Sequence, residues 1–227
     1  MAEGVKATRR YDSPRRREQA AATRREILGA AQRLFEREGY ATTTMAAIAR
    51  EAGVALKTVY VAFETKSGLL RALWHLLLRG DADDAPMGER PWFRELMAEP
   101  DPERQVELLA ENSVRVKRRA GGILEVIRSA AASDPDAAAL WERIQSDFRG
   151  IHRPVAERLG ERGALRADLD VERATDLLWT LNHPDVWQLL VVRRGWSAEA
   201  YGAWFTDAVR AQVLGLPPRA QSRFQPK

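Results

Sequence analysis

An all-α fold is what this sequence predicts, and three observations predict it. Apolar residues recur at three- and four-residue spacing along most of the 227 residues, glycines and prolines punctuate the ends of those runs, and no stretch of β-branched alternation rivals them. About nine helices are expected on this pattern.

Residues 1–19 are poor in apolar side chains and rich in arginine (Arg9, Arg10, Arg15, Arg16, Arg17), and Ser13-Pro14 interrupts any helix, so they read as a flexible basic arm. From about Ala20, the residues Ile27, Leu28, Ala31, Leu34 and Phe35 form a helical stripe that Gly39 closes. Thr43 or Thr44 then caps a short helix with Met45, Ile48 and Ala49 facing inward, ending at Gly53. A second short helix runs from about Ala55 to Phe63. Thr65 suits the start of a fourth, whose apolar face is Leu69, Leu70, Leu73, Trp74 and Leu77. Residues 80–91, with Asp81, Asp83, Asp84 and Pro86, read as a linker. Beyond it, helices are expected near 102–118, 121–132, 134–160 (kinked at Pro154), 170–193 (disturbed at Pro184) and 197–214. Asp134-Pro135 is a start signal, with proline at the first helical position.

The apolar fraction, 45%, is enough for a buried core. Charge is unevenly placed: residues 1–70 carry 13 Lys+Arg against 8 Asp+Glu, whereas residues 71–227 carry 23 against 24. The excess positive charge therefore lies at the N-terminal end, where it suits a polyanion. There is no cysteine, which excludes disulfides, thiolate metal sites and cysteine nucleophiles. Neither a secretory signal nor an apolar run long enough for a bilayer is present, so a soluble cytoplasmic protein is expected.

The stretch Thr42–Leu70 carries the strongest functional signal. Two short helices joined by a glycine turn need small residues where they cross, and Ala49, Ala52 and Gly53 supply them. In a helix-turn-helix the second helix enters the major groove while the first crosses the backbone. Thr43 and Thr44 lie at a helix N-terminus that favours phosphate, and Lys57, Thr58 and Tyr60 give the second helix a cation and two hydroxyls. Lys66 adds a cation at the start of the fourth helix. Arg15, Arg16 and Arg17 extend this polyanion-binding surface through the arm.

The run from Ile27 to Leu73, "AAQRLFEREGYATTTMAAIAREAGV" followed by "TVYVAFETKSGLLRAL", resembles the tetracycline-repressor (TetR) family of bacterial regulators. Gly39-Tyr40, Thr43-Thr44, Ile48-Ala49, Ala52-Gly53-Val54, Tyr60, Phe63 and Lys66 carry the resemblance. It implies phosphate contacts from Thr43 or Thr44, Tyr60 and Lys66, with residues 55–58 facing the bases. The chain departs from the usual pattern at Ala55-Leu56-Lys57 and at Val61-Ala62. Ala55 has no side chain to cap the recognition helix, Leu56 suits a thymine methyl, and Lys57 suits a guanine or a phosphate.

The resemblance further implies an N-terminal three-helix helix-turn-helix DNA-binding domain (20–66), then a helical ligand-binding and dimerisation domain (67–215), with residues 216–227 as a flexible tail. It makes the protein a DNA-binding regulator of transcription, with double-stranded DNA of near-palindromic sequence, a small-molecule effector and a second copy of the chain as partners. A repressor released from its operator by the effector is the reading preferred. The alternative is an effector-independent dimeric regulator whose C-terminal domain only dimerises or binds a protein.

In the C-terminal body, 170–193 is apolar on two sides, and 197–214 adds Tyr201, Trp204, Phe205, Ala208 and Val209. Leu177, Leu181, Trp204, Phe205 and Ala208 are the expected dimer contacts. Trp74, Trp141, Phe148, Trp179 and His183 are the expected effector-pocket residues, against a background in which aromatics mostly pack cores. The His183-Pro184-Asp185 break either opens a polar notch in a pocket wall or shapes the dimer bundle, the second being preferred. "RVKRR", Arg115 to Arg119, reads as a solvated helix end. The three histidines show no metal spacing, no cofactor is expected, and no catalytic constellation argues for an enzyme.

Overall fold

The computed structural model describes residues 14–79 and 87–217. The chain divides between Ala72 and Leu73 into two compact units, later than the boundary at 66/67 that the sequence suggested. Every regular element among the described residues is helical.

The first unit opens with α1 (Pro14–Glu38). Its start corrects the expected arm: Pro14 sits at the first helical position, where its missing N–H costs nothing, so Arg15, Arg16 and Arg17 lie on the first turns of a helix. Arg9 and Arg10 lie outside the described residues. Ile27, Leu28, Ala31, Leu34 and Phe35 are buried at the spacing their pattern required. Then come α2 (Met45–Glu51), α3 (Leu56–Phe63) and α4 (Lys66–Arg79). Thr44 caps α2 by accepting from the Ala47 amide at 3.1 Å. Gly53, at φ +67°, makes the turn into α3, a conformation other residues rarely adopt. The turn from α3 to α4 is strained: Glu64 takes φ 61° and ψ −54°, and the Thr65 amide donates back to the Phe63 carbonyl at 2.6 Å, a γ-turn.

The second unit contains α5 (Pro91–Ala98), α6 (Pro102–Ala130), α7 (Pro135–Glu161), α8 (Val171–Leu181), α9 (Pro184–Trp187) and α10 (Ala198–Gln212), with a short 3-10 turn at Met87–Glu89. From α9 the chain passes straight into a π-helical turn, Gln188–Arg193. Side chains that cap helices set most of these starts. Asp101, Asp134, Asp170 and Ser197 each accept an amide of the following turn, and prolines follow Asp101 and Asp134 at the first helical position.

Three expectations need correction. Helix α5 lies in a region not assigned to any helix from the sequence, and the expected linker residues Asp81, Asp83, Asp84 and Pro86 lie outside the described residues. The two helices expected at 102–118 and 121–132 are one, α6. Gly121 is not a break but a contact point: a Cβ there would meet the Trp187 indole Nε1 at 3.3 Å, so glycine lets α9 approach. The tail expected from residue 216 is packed at its start, because the Leu216 amide donates to Arg210 O at 2.9 Å and Arg210 Nη2 donates to Pro217 O at 3.2 Å. Residues 218–227 lie outside the described residues.

The core of this unit joins α5, α6, α7, α8, α9 and α10 through Leu96, Leu109, Leu159, Leu178, Trp187 and Phe205. Helices α7 and α8 pack against each other, as do α6 and α10. Burying their facing stripes is what holds the bundle.

Candidate nucleic-acid interface and ligand cavity

On the first unit, α3 buries Val59 and Phe63 and turns Leu56, Lys57, Thr58, Tyr60 and Val61 outward. Val61 is 77% exposed, Tyr60 48% and Leu56 40%. Large apolar side chains left in water beside a cation and hydroxyls form a surface that asks for a partner. Ala55 starts α3 without a side-chain cap, as its methyl group dictates.

The two threonines divide their work. Thr44 is exposed at the α2 N-terminus, where its cap leaves other first-turn amides facing out. Thr43 is fully buried and donates to the Gly39 carbonyl at 2.8 Å. It holds the loop before α2 and has no outward face, which corrects its inclusion among phosphate contacts. Lys66 is likewise turned inward. Its Nζ donates to Tyr40 O at 2.7 Å and to Thr43 O at 3.0 Å and sits 4.1 Å above the Tyr40 ring. That geometry ties α4 to the loop between α1 and α2, so Lys66 braces the helix-turn-helix from its C-terminal side. Arg24 does similar work: it donates to the Ala62 carbonyl at 2.7 Å and lies over Phe63.

In the second unit a cavity of about 300 Å³ opens among α4, α5, α6 and α7 and the break between α8 and α9. Trp74 and Phe148, two of the five expected pocket residues, line it. Trp141 does not. Trp179 and His183 pack edge to face on each other with ring centroids 5.0 Å apart, and His183 Nε2 meets the Gln145 side-chain amide at 2.7 Å; neither ring lines the cavity. His183 instead caps α9, its Nδ1 accepting the Asp185 amide at 3.2 Å.

The cavity's polar wall was not legible in the sequence. Lys117, on α6, is 3% exposed, and its Nζ donates to Ser113 Oγ at 2.6 Å, to Asn182 O at 2.9 Å and to Asn182 Oδ1. Burial drives this amine well below the usual lysine range. His152, 1% exposed on α7, pairs through Nδ1 with the Phe148 carbonyl at 2.7 Å, which assigns that nitrogen the proton. Its Nε2 then accepts from Asn182 Nδ2 at 3.0 Å. Burial lowers the imidazole pKa to about 4, outweighing the hydrogen bond to Phe148 O that raises it, while the Lys117 charge lowers it further.

Three readings of residues are revised. "RVKRR" is no helix end: it lies inside α6, with Lys117 in the core and Arg119 donating to the carbonyls of Leu77 and Leu78. A signal was present, since Val106, Leu109, Ala110, Ser113, Lys117 and Ala120 share one helical stripe once the helix is continued past residue 118. The break at Pro184 makes the polar notch, because it frees the Asn182 carbonyl and side chain to meet Lys117. Phe205 is fully buried inside its own unit and is not an outward dimer contact. Leu177, Leu181, Trp204 and Ala208 are only half-buried, and Leu189 and Val192 are exposed.

A helix-turn-helix with an exposed, basic and apolar second helix, joined to a helical unit holding an internal cavity, defines a DNA-binding regulator. Comparison with known proteins places it more closely. Residues 27–73 match the profile of the bacterial regulatory proteins of the tetR family. The chain is 30% identical over 173 residues to the probable HTH-type transcriptional regulator ArpR of Pseudomonas putida, covering 70% of this chain and 76% of ArpR. It matches the HTH-type transcriptional regulator TtgR, also of Pseudomonas putida, to the same extent. Among solved structures, NalD of Pseudomonas aeruginosa, the secondary repressor of the MexAB-OprM multidrug efflux pump, superposes with a TM-score of 0.66 at 22% identity over 87% of this chain and 98% of that one, a likeness of fold. The chain belongs to the TetR family of transcriptional regulators. Among the described residues no helix is long and apolar enough to cross a membrane, and no group of His, Asp or Glu is arranged to hold a metal ion.

Proposed function

We propose that the protein is a cytoplasmic homodimeric repressor that leaves its DNA operator when a small molecule occupies the cavity of the second unit. The cavity itself carries this reading: about 300 Å³, mostly apolar and walled by aromatic rings, with a few convergent polar groups, which is the form of a small-molecule site. A second unit serving dimerisation alone would have no use for it.

The mechanism rests on differential binding. A ligand that prefers the conformation in which the two recognition helices of a dimer miss successive major grooves, about 34 Å apart, shifts the population off DNA. Helix α4 is the covalent link: it begins in the first unit and carries Trp74 and Leu78 to the cavity wall. The half-buried row Leu177, Leu181, Trp204 and Ala208 supports a dimer through α8 and α10. On DNA, Leu56, Lys57 and Thr58 are assigned to base edges, and Thr44, Tyr60 and the α1 arginines Arg15, Arg16 and Arg17 to phosphates.

Selection of bound duplexes from a random library tests the DNA half. A palindromic motif with half-sites one helical turn apart is expected, and salt-sensitive binding without a motif would overturn it. Replacing Arg15, Arg16 and Arg17 by glutamine should lower the salt slope by up to about 0.9 per lost phosphate contact. For the effector half, Trp74→Leu should change ligand-driven release more than DNA affinity. Equal loss of both would remove Trp74 from that role.

A further inference from the structure

We propose that the cavity takes an organic anion, an aromatic or fatty carboxylate whose charged end meets Lys117 Nζ and whose apolar body lies against Trp74, Trp92 and Phe148. This rests on the effector reading above and narrows it to a chemical class.

The polarity of the wall points one way. The Phe148 carbonyl fixes the proton of His152 on Nδ1, so Nε2 must accept, and it accepts from the Asn182 amide nitrogen. That orients Asn182 with its Oδ1 toward Ser113 and Lys117. Every hydrogen-bond partner of Lys117 is thus an oxygen acceptor, and none is negatively charged. The rings of Tyr201 and Phe148, 5.2 and 5.6 Å from Nζ, add electron-rich faces but no counter-ion.

Among the described residues no Asp or Glu lines the cavity, while Arg90, Arg115 and Arg119 do, beside Lys117. Arg119 and Arg90 spend hydrogen bonds on the carbonyls of Leu77 and Leu78, but those contacts leave their charge in place. A buried ammonium without a counter-ion is costly, and a neutral amine forgoes one of the three donations its geometry offers. A carboxylate entering the cavity supplies the missing charge and lets Lys117 hold its proton. A volume equal to about ten liquid waters suits an acid of one or two rings, or a medium-length chain.

The test is calorimetric titration of the full chain at pH 8 with matched probes, naphthalene-2-carboxylate against naphthalene-2-carboxamide and decanoate against decanamide. At least one acid should bind tenfold or more tightly than its amide, with net proton uptake seen across buffers of different ionisation enthalpy. The other titratable groups around the amine are His152 from α7, His183 at the start of α9 and Tyr201 from α10, all held neutral at this pH by burial, with the cations Arg90, Arg115 and Arg119 on the cavity wall. Lys117→Met should level acid and amide, bringing their affinities within about threefold of each other. Should that variant fail to fold, the acid-to-amide ratio and the proton uptake of the unaltered chain decide the matter alone. Amides binding as tightly as acids would overturn the anion assignment and leave the effector reading standing. A preference for acid that survives Lys117→Met would overturn the role of Lys117, and silence from all four probes would overturn both readings.

Discussion

Each unit of this protein turns one lysine toward its interior, and the two are used in opposite ways. Lys66 is half-buried beside solvent and bridges two carbonyls of the loop between α1 and α2. Water can stabilise part of its charge, so it works as an ordinary strut. Lys117 is sealed in α6 against neutral oxygens and a cavity. Water does not reach it freely, so its charge state depends on what fills that cavity. The contrast teaches that a cation's role follows from its access to solvent and counter-ion, and residue type says little about either.

That comparison can be tested from the large end downward. Phe205 lies in the core of the second unit, so Phe205→Ala should cost about 3–5 kcal/mol in urea denaturation of that unit, whereas Trp204→Ala should mainly weaken self-association in sedimentation. If Phe205→Ala altered only the oligomer, its placement in the core would be wrong.

The second test is acid. The unfolded chain protonates His152 near pH 6.5 and the folded chain only near 4, so its contribution is complete above pH 6.5 and drains away as pH falls to 4. About 3 kcal/mol should be lost across that window, seen as a falling urea midpoint of the second unit, and His152→Gln should flatten the fall. A midpoint independent of pH in the parent would show that the imidazole is not held neutral.

Lys66→Met should destabilise the first unit by about 2 kcal/mol, since two carbonyls lose a charged donor, and weaken DNA binding through that loss of order. Unchanged stability with a lower salt slope would instead make Lys66 a phosphate contact. The smallest effect concerns the γ-turn: Glu64→Gly relieves its positive φ and should raise the first unit's stability by about 1 kcal/mol. No gain in melting temperature would mean that the turn is held without strain.

The first unit was read nearly whole from the sequence because its signals are local. Thr44, Gly53, Ala55 and Phe63 mark starts, turns and ends within a few residues of their effect. What chain order did not give is the direction of two side chains: Thr43 turns back onto the Gly39 carbonyl four residues upstream, and Lys66 reaches carbonyls more than 20 residues away. In the second unit Trp74 and Phe148 line the cavity. Trp141, Trp179 and His183 do not line it, because spacing fixes a face but not which neighbour covers it.

What the sequence by itself determined is the succession of helices, the helix-turn-helix and the family they belong to, for capping residues, glycine turns and apolar periodicity act over one or two turns of chain. What only the tertiary structure decided is the meaning of Lys117, Asn182 and His152. They are separated by 30 residues or more in the chain, and they became one site because the break before Pro184 carried Asn182 between α6 and α7, where burial sets the charge of every group it brings together.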